Sequence, residues 1–388
     1  MAKMLKVSVV VGTRPEAIKL APVILAMRRS PQDFQATVVS TGQHRAMLDR
    51  ALSDFDITPD IDLKVMRDRQ SLAELSSRVM LGVSDFLLQE RPDVMMVQGD
   101  TSTAFIAALA AFYQQIPVVH IEAGLRSGNP LNPFPEEMNR RLLGSVAALH
   151  CAPTPRACAS LVAEGIAREA IAVTGNTVID ALHTIVDAGK ATIDVEGLPA
   201  DHGRLVLVTL HRRESWGDEM SSVCRALRRI VDRHEEITMV APVHLNPNVR
   251  DVVMPILGGH PRIVLTEPVP YPTLVGLIRA ADLVITDSGG IQEEAPAFGK
   301  PVLVARKTTE RPEAVDAGCA KLVGTDEEVL FAAADLLLSD QDAYQAMVRP
   351  YSPFGDGRGA ERSLEAMRRW FDGQRPALPA NEEFAGLA

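Results

Sequence analysis

The sequence alternates short apolar segments rich in β-branched residues with helical patterns, and this alternation restricts the possible folds more than any other feature. From the N-terminus the predicted strands cover 5–11, 34–40, 94–98 and 117–121, and the predicted helices cover 15–29, 72–90 and 103–113. Units of this kind build a parallel, doubly wound sheet, whose ligands bind outside the carboxyl ends of the strands. Functional residues are therefore expected where strands end.

The same alternation restarts in the second half of the chain. Its predicted strands cover 205–209, 238–241, 263–265, 283–286 and 302–304, with helices such as 220–235 and 271–280 between them. Because one hydrophobic core rarely grows past about 250 to 300 residues, a chain of 388 residues favours two domains. We expect an α/β fold of two Rossmann-like, doubly wound domains that face each other across a cleft holding the active site.

We place the domain boundaries where the alternation pauses. The expected first domain is 1–172 and the expected second domain is 173–358, with the junction near 170–176. A late helix at about 359–372 follows the glycine-rich segment SPFGDGRG and is expected to pack back onto the first domain. The remaining segment, 373–388, is rich in Pro and Ala and is expected to form a tail.

Composition argues against several classes of protein. With 46% hydrophobic and 23% charged residues the chain has the composition of a soluble globular protein, and its net charge of −10 argues against a nucleic-acid partner. No apolar run reaches the roughly 20 residues that span a bilayer, so no membrane partner is expected. The cysteines show neither metal-site spacing nor a disulfide rhythm, which predicts reduced thiols in a cytoplasmic protein; they are Cys151, Cys158, Cys224 and Cys319.

The segment ADLVITDSGGIQEEAP at 281–296 predicts an anion site. A buried strand runs into Ser288, Gly289 and Gly290, which precede a helix expected to begin at Ile291. Unpaired amides and the helix dipole favour a phosphate at such an N-terminus, and glycine lets the phosphate approach closely. A plain capped turn explains the same residues, so this segment alone leaves both interpretations open.

The first loop, GTRPEAIK, predicts a helix N-terminus with cations beside it. Thr13 and Glu16 have the spacing of a capping box, and Pro15 takes the favoured first helical position. Arg14 and Lys19 then either project into solvent or face the cleft from the end of the first strand. In the second case they would neutralise a diphosphate.

Acidic residues follow strands in both halves. Asp100 in QGDT, Glu122 in HIEAGLR and Glu136 in PFPEEMNRR converge on one domain, and converging acids beside cations are typical of proton transfer. Solvated acids remain the alternative for each of them. Glu293 and Glu294 are expected in the first turn after SGG, where they either complement the helix dipole or meet ribose hydroxyls.

A histidine flanked by arginines follows a strand of the second half. His211 precedes Arg212 and Arg213 in the segment HRRES. A lone histidine is more often structural, but one beside two arginines at a strand end favours an anion contact or an acid–base role.

These segments occur together in one order. GTRPEAIK, QGDT, HIEAGLR, PEEMNR, HRRES, PVHLNP, TDSGGIQEEAP and TTERPEA lie between residues 12 and 314, and the chain resembles the non-hydrolysing UDP-N-acetylglucosamine 2-epimerases. The resemblance implies a GT-B-like pair of domains that converts UDP-N-acetylglucosamine to UDP-N-acetylmannosamine without a nicotinamide, a metal or any other cofactor. It also implies a cytoplasmic homodimer whose product supplies cell-surface polysaccharide synthesis.

The resemblance also implies roles for individual residues. The catalytic positions match Lys19, Asp100, Glu122, Glu136 and His211. The UDP-binding positions match Arg14, Lys19, His211, Leu274, Ser288, Gly289, Gly290, Glu294 and Arg311. Leu274 stands where relatives often have an aromatic residue, Val269 can reach uracil only through its backbone, and Leu210 replaces a glycine of some relatives.

The implied reaction explains why acids and cations occur together. The C2 proton of the sugar is not acidic, so the family's route expels UDP from C1 as C2 loses its proton, which gives a 2-acetamidoglucal. Addition of UDP after reprotonation on the opposite face completes the inversion. Arg14, Lys19 and His211 would stabilise the diphosphate, and closure of the cleft would keep water out. The sequence leaves open which acid serves which face.

A second ligand site is also implied. Relatives that UDP-N-acetylglucosamine activates resemble this chain at the allosteric positions, which are Gln43, Arg69, Glu136, Arg212 and His244. Ala46 departs from these relatives, which can carry glutamine there. Ordinary loop residues are the alternative.

Three other functions remain open from the sequence. A hydrolysing epimerase would release free N-acetylmannosamine, and a GT-B glycosyltransferase would pass the sugar to an acceptor, for which the sequence has no motif. A non-catalytic sensor of nucleotide sugars would keep the UDP contacts, but it would not need the acids.

Overall fold

The computed structural model describes residues 3–386 except 43–44, 68–69 and 213–215, and at 45–46 it describes the backbone only. The chain divides into two compact units. The first comprises residues up to 184 together with those from 354 onward, and the second comprises 185–353.

The first unit is a parallel sheet with the strand order β3-β2-β1-β4-β5-β6-β7. Its elements alternate along the chain as the sequence predicts: β1 (Leu5–Val11), α1 (Arg14–Arg29), β2 (Phe34–Ser40), α2 (Arg45–Ser53), β3 (Ile61–Asp62), α3 (Leu72–Glu90), β4 (Val94–Gln98), α4 (Ser102–Tyr113), β5 (Val118–Ile121), α5 (Glu136–Val146), β6 (Leu149–Ala152), α6 (Pro155–Ala163), β7 (Ile171–Val173) and α7 (Thr177–Asp187). A short 3-10 turn, Arg168–Ala170, precedes β7.

The core of this unit follows from the near-continuous apolar runs of its central strands, which are buried on both faces. On one face, Val10 and Val97 of the sheet pack with Val79 of α3 and Ala107 of α4, all of them at 0–1% exposure. The small residues of α4 let this helix lie close to the sheet and to α3.

The second unit is a six-stranded parallel sheet with the order β10-β9-β8-β11-β12-β13. Its elements are β8 (Arg204–Thr209), α8 (Asp218–Arg233), β9 (Ile237–Pro242), α9 (Pro247–Leu257), β10 (Ile263–Thr266), α10 (Tyr271–Ala280), β11 (Leu283–Thr286), α11 (Gly289–Ala297), β12 (Val302–Val304), α12 (Pro312–Asp316), β13 (Ala320–Leu322), α13 (Glu327–Ser339) and α14 (Gln341–Met347). In register, Thr209 pairs with Thr286 at the carboxyl ends of β8 and β11. The loops after these two strands therefore begin side by side.

The chain returns to the first unit for its last helix, α15 (Gly359–Phe371), which packs against α1, β6 and β7. Asp180 of α7 accepts hydrogen bonds from Gly359 N at 3.1 Å and Ala360 N at 2.8 Å, so α15 is capped by a carboxylate from α7. Burial raises the pKa of Asp180 to about 6 although both amides lower it.

The division between the units differs from the expected boundaries. The expected junction at 170–176 contains β7, the edge strand of the first sheet, and the chain leaves this unit inside α7 instead. The local pattern did not predict a strand at Ile171–Val173, which is defined in the structure by its pairing with β6. The expected tail also packs on this unit, because Phe384 N donates to Val173 O at 2.8 Å and Arg168 pairs with Glu383 at 2.5 Å.

The expected α/β class, with two doubly wound parallel sheets, is confirmed. Among the described residues, no helix has both the length and the apolar character that a membrane crossing requires. All four cysteines are buried free thiols.

Candidate active site

The loop between β1 and α1 has Glu16 at its centre. Glu16 is 1% exposed, and its Oε2 accepts hydrogen bonds from Thr13 N at 2.6 Å and Gly12 N at 3.0 Å. The glutamate half of the predicted capping box therefore forms. The helix begins one residue earlier than expected, at Arg14, so Pro15 is its second residue rather than its first.

Glu122 follows β5 and forms an ion pair with Lys19 of α1. Lys19 Nζ lies 2.7 Å from Glu122 Oε1 and 2.8 Å from Oε2, and both side chains are largely buried. Gln98, the last residue of β4, also donates to the Glu122 carboxylate. Glu122 has a backbone φ of +62°, a left-handed conformation that costs a non-glycine residue energy and that is frequent at functional sites.

Asp100 follows β4 and is held by α5. Arg140 donates to Asp100 Oδ2, and Asn139 Nδ2 donates to the Asp100 carbonyl at 3.0 Å. Arg140 also donates from Nη1 to Glu137 Oε2 at 3.0 Å, and Glu137 is fully buried. One helix thus orients both the backbone and the carboxylate of Asp100.

Glu136, the third predicted acid, is the first residue of α5 and is half-buried. Because Gln98 and Ile121 are register partners, Asp100 and Glu122 follow neighbouring strand ends. The structure therefore brings Lys19, Glu122 and Asp100 to one edge of the first sheet, beside the helix that Glu136 begins. The sequence reasoning did not identify Gln98, Arg140 or Glu16 as parts of this edge.

In the second unit, Asp287 organises the loop after β8. This fully buried carboxylate accepts Arg212 N at 2.9 Å, His211 N at 2.9 and 3.1 Å, and His211 Nδ1 at 2.8 Å. The His211 ring is 42% exposed, so its Nε2 edge points toward the surroundings while Asp287 fixes its orientation.

The N-terminus of α11 is flanked by charged side chains from two other loops. A Cβ built on Gly289 would lie 2.9 Å from Glu310 Oε1, 3.6 Å from Arg212 Nη2 and 3.8 Å from Arg311 Nη2. Burial by itself would raise the pKa of Glu310, but Arg311, Arg212 and Arg306 outweigh burial and hold this pKa well below its usual range. Glu310 is therefore an ionised link between the two arginines and the helix end.

The two acids of α11 lie deeper in the helix than expected. Because α11 begins at Gly289 rather than Ile291, Glu293 and Glu294 fall beyond its first turn and do not complement its N-terminal dipole. Glu293 is fully buried and accepts a hydrogen bond from Arg311 Nε. Glu294 accepts one from Tyr271 Oη at 3.3 Å. Tyr271 begins helix α10, which also carries the half-buried Leu274.

The structure describes three of the five expected allosteric residues. The His244 ring lies 6.2 Å from the His211 ring, and Arg212 Nη2 donates to Glu310 Oε1 at 2.7 Å. Desolvation and then the neighbouring His211 lower the pKa of His244. Gln43 and Arg69 lie outside the described residues, as do Arg213 and the side chain of Ala46.

Each unit thus presents a different chemistry at the carboxyl end of its sheet. The first has paired carboxylates and cations suited to moving protons. The second has a helix N-terminus with arginines and an oriented histidine, suited to a phosphate. Among the residues that the structure describes, no group of three or more histidines, cysteines or acids could hold a metal ion.

Comparison with known proteins shows the family of the chain. The family profile described as UDP-N-acetylglucosamine 2-epimerase matches residues 25–368. The Escherichia coli K12 protein named UDP-N-acetylglucosamine 2-epimerase is 47% identical over 371 residues, which cover 94% of this chain and 98% of that protein.

Solved structures show the same similarity. A Listeria monocytogenes protein assigned the same name superposes with a TM-score of 0.91 at 47% identity, covering 99% of this chain and 100% of that one. The UDP-GlcNAc 2-epimerase of Neisseria meningitidis, crystallised with UDP-GlcNAc, has a TM-score of 0.89 at 41% identity, covering 94% and 99%. The chain therefore belongs to the UDP-N-acetylglucosamine 2-epimerase family.

Proposed function

We propose that this chain interconverts UDP-N-acetylglucosamine and UDP-N-acetylmannosamine by inverting C2 of the sugar. The observation that carries the proposal is the N-terminus of α11, where two glycines open the helix and Arg212 and Arg311 lie within 4 Å of the position of a side chain at Gly289. A diphosphate fits an amide-lined helix end flanked by arginines. We place this activity in the cytoplasm, where its product supplies the synthesis of cell-surface polysaccharides.

The second unit supplies most of the contacts to UDP in this proposal. Ser288, Gly289 and Gly290 bind phosphate oxygens, the two glycines through their amides, and Arg311 adds a charged donor that buried Glu293 holds in place. Glu294 binds the ribose hydroxyls. Leu274 packs against the base, and Arg14 of the first unit adds a further contact to UDP.

His211 assists the departing diphosphate. Its Nδ1 lies 2.8 Å from Asp287, so a proton on Nδ1 is held by this carboxylate and Nε2 is the nitrogen that meets a phosphate oxygen. Because Asp287 also accepts both backbone amides of 211–212, the ring is fixed before substrate binds. A group that is oriented in advance does not have to reorganise as charge develops on the leaving oxygen.

The first unit supplies the proton transfers. A carboxylate removes the C2 proton as the bond from C1 to the UDP oxygen breaks, and the electron pair of the C–H bond forms the C1–C2 double bond of the glucal. A protonated acid then returns a proton to the other face of C2, while UDP adds back to C1. Asp100, Glu122 and Glu136 are the proposed proton-transfer groups.

Lysine, arginine and glutamine side chains hold two of these acids in defined positions. Lys19 and Gln98 converge on Glu122, and Arg140 binds Asp100. Arg14 and Lys19 of the first unit, with His211 and Ser288 of the second, are the proposed contacts to the diphosphate.

The proposed reaction is tested by incubating the protein with UDP-N-acetylglucosamine in D₂O and following it by NMR. Epimerised nucleotide sugar with deuterium at C2 supports the proposal. Release of free N-acetylmannosamine would instead identify a hydrolysing epimerase, and UDP release only with an acceptor would identify a glycosyltransferase. Binding without turnover would leave a nucleotide-sugar sensor.

We further propose that UDP-N-acetylglucosamine activates the enzyme from a second site formed by Gln43, Arg69, Glu136, Arg212 and His244. The closeness of the His244 and His211 rings, 6.2 Å, supports this proposal, because a ligand on His244 would lie next to a residue that contacts UDP. An activator shifts an equilibrium only by binding one state better than another.

A kinetic experiment tests the activator site. The reverse reaction, started from pure UDP-N-acetylmannosamine, should show a lag that a trace of UDP-N-acetylglucosamine removes. Arg69→Ala and His244→Ala should abolish this effect and leave UDP affinity nearly unchanged. Full rate from the first turnover in the wild type would refute the second site.

We also propose that the chain is a homodimer. Two neighbouring helices of the first unit expose large apolar side chains, with Leu81 and Leu88 on α3 at 63% and 59% exposure and Phe112 and Tyr113 on α4 at 58% and 66%. Exposed aromatic and large apolar side chains are enriched at protein–protein interfaces. Sedimentation equilibrium should give a dimer for the wild type and a monomer for Leu81→Glu combined with Phe112→Glu. A wild-type monomer would refute the assignment.

A further inference from the structure

The first helix contains a buried carboxylate that the proposed reaction does not use. Glu16 is 1% exposed and accepts three hydrogen bonds, from Gly12 N, Thr13 N and Thr101 Oγ1. Burial of a carboxylate is costly unless its hydrogen bonds compensate for the lost water. Its position therefore requires an explanation beyond helix stability.

Helix capping explains only one oxygen of this carboxylate. Oε2 accepts hydrogen bonds from the amides of Gly12 and Thr13 just before α1, and the Thr13 contact is the one that a glutamate at the third helical position makes in a capping box. Oε1 accepts a 2.7 Å hydrogen bond from Thr101, which is 85 residues away in the loop after β4. A capping glutamate does not need this second contact.

Thr101 directly follows Asp100 and is the N-cap of α4. Its Oγ1 accepts a hydrogen bond from Ala104 N at 2.9 Å while it donates its proton to Glu16. The hydroxyl thus acts as both a hydrogen-bond donor and an acceptor. It connects the loop that carries Asp100 to the first turn of α1, where Arg14 lies.

The packing around Gly12 independently shows that these two loops are in tight contact. A Cβ on Gly12 would lie 2.7 Å from Thr103 Oγ1 and 2.8 Å from Thr41 Oγ1. Thr103 belongs to the first turn of α4, so the turn before Arg14 is pressed against the helix that Thr101 caps. The Glu16–Thr101 hydrogen bond lies within this contact.

We propose that Glu16 and Thr101 are positioning residues that fix the position of Asp100 relative to Arg14 and Lys19. The role rests on the proposed epimerase function, in which Asp100 transfers a proton while the cations of α1 bind the diphosphate. Displacing a catalytic group by about 1 Å can cost on the order of 100-fold in rate. Loss of the connection therefore lowers kcat more than it weakens nucleotide binding.

The test compares Thr101→Val and Thr101→Ser in the full-length protein. Thr101→Val should lower kcat by about 10- to 100-fold, with KM and the UDP dissociation constant within about 3-fold of the wild type. Thr101→Ser retains the hydroxyl and should restore kcat to within a few-fold. The control is Thr154→Val, which removes the equivalent cap of α6, where Thr154 Oγ1 accepts Ala157 N at 3.1 Å.

Glu16→Gln provides a second route to the same answer and decides the question if Thr101→Val does not fold. It should lower kcat by about 10-fold, and the double variant should lose little more than the worse single variant, since both remove one interaction. If Thr101→Val and Glu16→Gln keep wild-type kcat and lose only thermal stability, as Thr154→Val should, the positioning role is refuted. A wild type that binds UDP without epimerising would refute the proposed function itself, and with it this role.

Discussion

Gly289→Ala tests the assignment of the α11 N-terminus as the diphosphate site. The new methyl group would lie 2.9 Å from Glu310 Oε1, closer than a carbon and an oxygen normally approach. Glu310 cannot move away freely, because Arg212 Nη2 and Arg306 Nη1 each donate to it at 2.7 Å. Glu310 or one of its two arginine partners must therefore move.

The expected magnitude follows from two opposing effects. A lost charged hydrogen bond costs about 1.5 to 3 kcal/mol, and alanine in place of glycine returns at most about 1 kcal/mol of helix propensity. We therefore expect the free energy of unfolding of the UDP-free protein to fall by about 0.5 to 3 kcal/mol. UDP affinity should fall at least about 10-fold, because the methyl group occupies space that a phosphate oxygen would take next to Arg212 and Arg311.

The assays are urea unfolding without ligand and calorimetry with UDP. The matched control is Gly290→Ala, for which the nearest atom to the new methyl group, apart from its chain neighbours and the helix's own backbone, is Ser288 Oγ at 3.9 Å. Its unfolding free energy should equal that of the wild type or exceed it by up to about 1 kcal/mol. A Gly289→Ala protein with wild-type stability and wild-type UDP affinity would refute both the packing argument and the placement of the diphosphate.

Four further predictions concern the two units. Asp100→Asn, Glu122→Gln and Glu136→Gln should each lower turnover by at least about 100-fold with UDP affinity within a few-fold; wild-type rates in all three would remove the acids from the mechanism. Arg311→Ala, or Ser288→Phe, should weaken UDP binding by about 1.5 to 3 kcal/mol in calorimetry, and unchanged affinity would place the diphosphate elsewhere. Burial raises the pKa of Glu16 from 4.5 to about 6. Between these pH values the folded protein therefore binds more protons than the unfolded chain, and its free energy of unfolding falls by about 2 kcal/mol as pH rises. Urea titrations at pH 4.5 and 7 should show this fall in the wild type but not in Glu16→Gln. The methyl group of Gly82→Ala in α3 would contact only side chains, at 3.5 Å or more. Thermal unfolding should therefore show that the free energy of unfolding rises by about 0.5 to 1 kcal/mol, with kcat unchanged, and a lower free energy of unfolding would contradict the packing argument.

Several elements could be predicted from the sequence because their patterns are local. β1, β2, α3, β4, β11 and α15 have the expected bounds to within a residue. β7 was not predicted, although β12 has the same length of three residues and was, and β7 became visible only through its pairing with β6. The domain boundary that depends on this strand was therefore misplaced.

The sequence predicts residue types for the candidate site but not the contacts among them. Asp100 and Glu122 were recognisable because they follow strands, yet Arg140 and Gln98, which bind them, lie 40 and 24 residues away along the chain. Asp287 and His211 are separated by 76 residues. Pairs of this kind are set by the register of parallel strands, which no local pattern specifies.

The placement of α15 has a consequence for synthesis of the protein. The first sheet is complete once β7 ends at residue 173, but the helix that covers α1 ends at residue 371, after the whole second unit. At about 5 to 20 residues per second, the 198 residues between 173 and 371 take about 10 to 40 s to translate. During this interval the surface of α1 that α15 later covers is open to chaperones and to neighbouring nascent chains. A chain truncated before residue 359 would keep this surface exposed permanently.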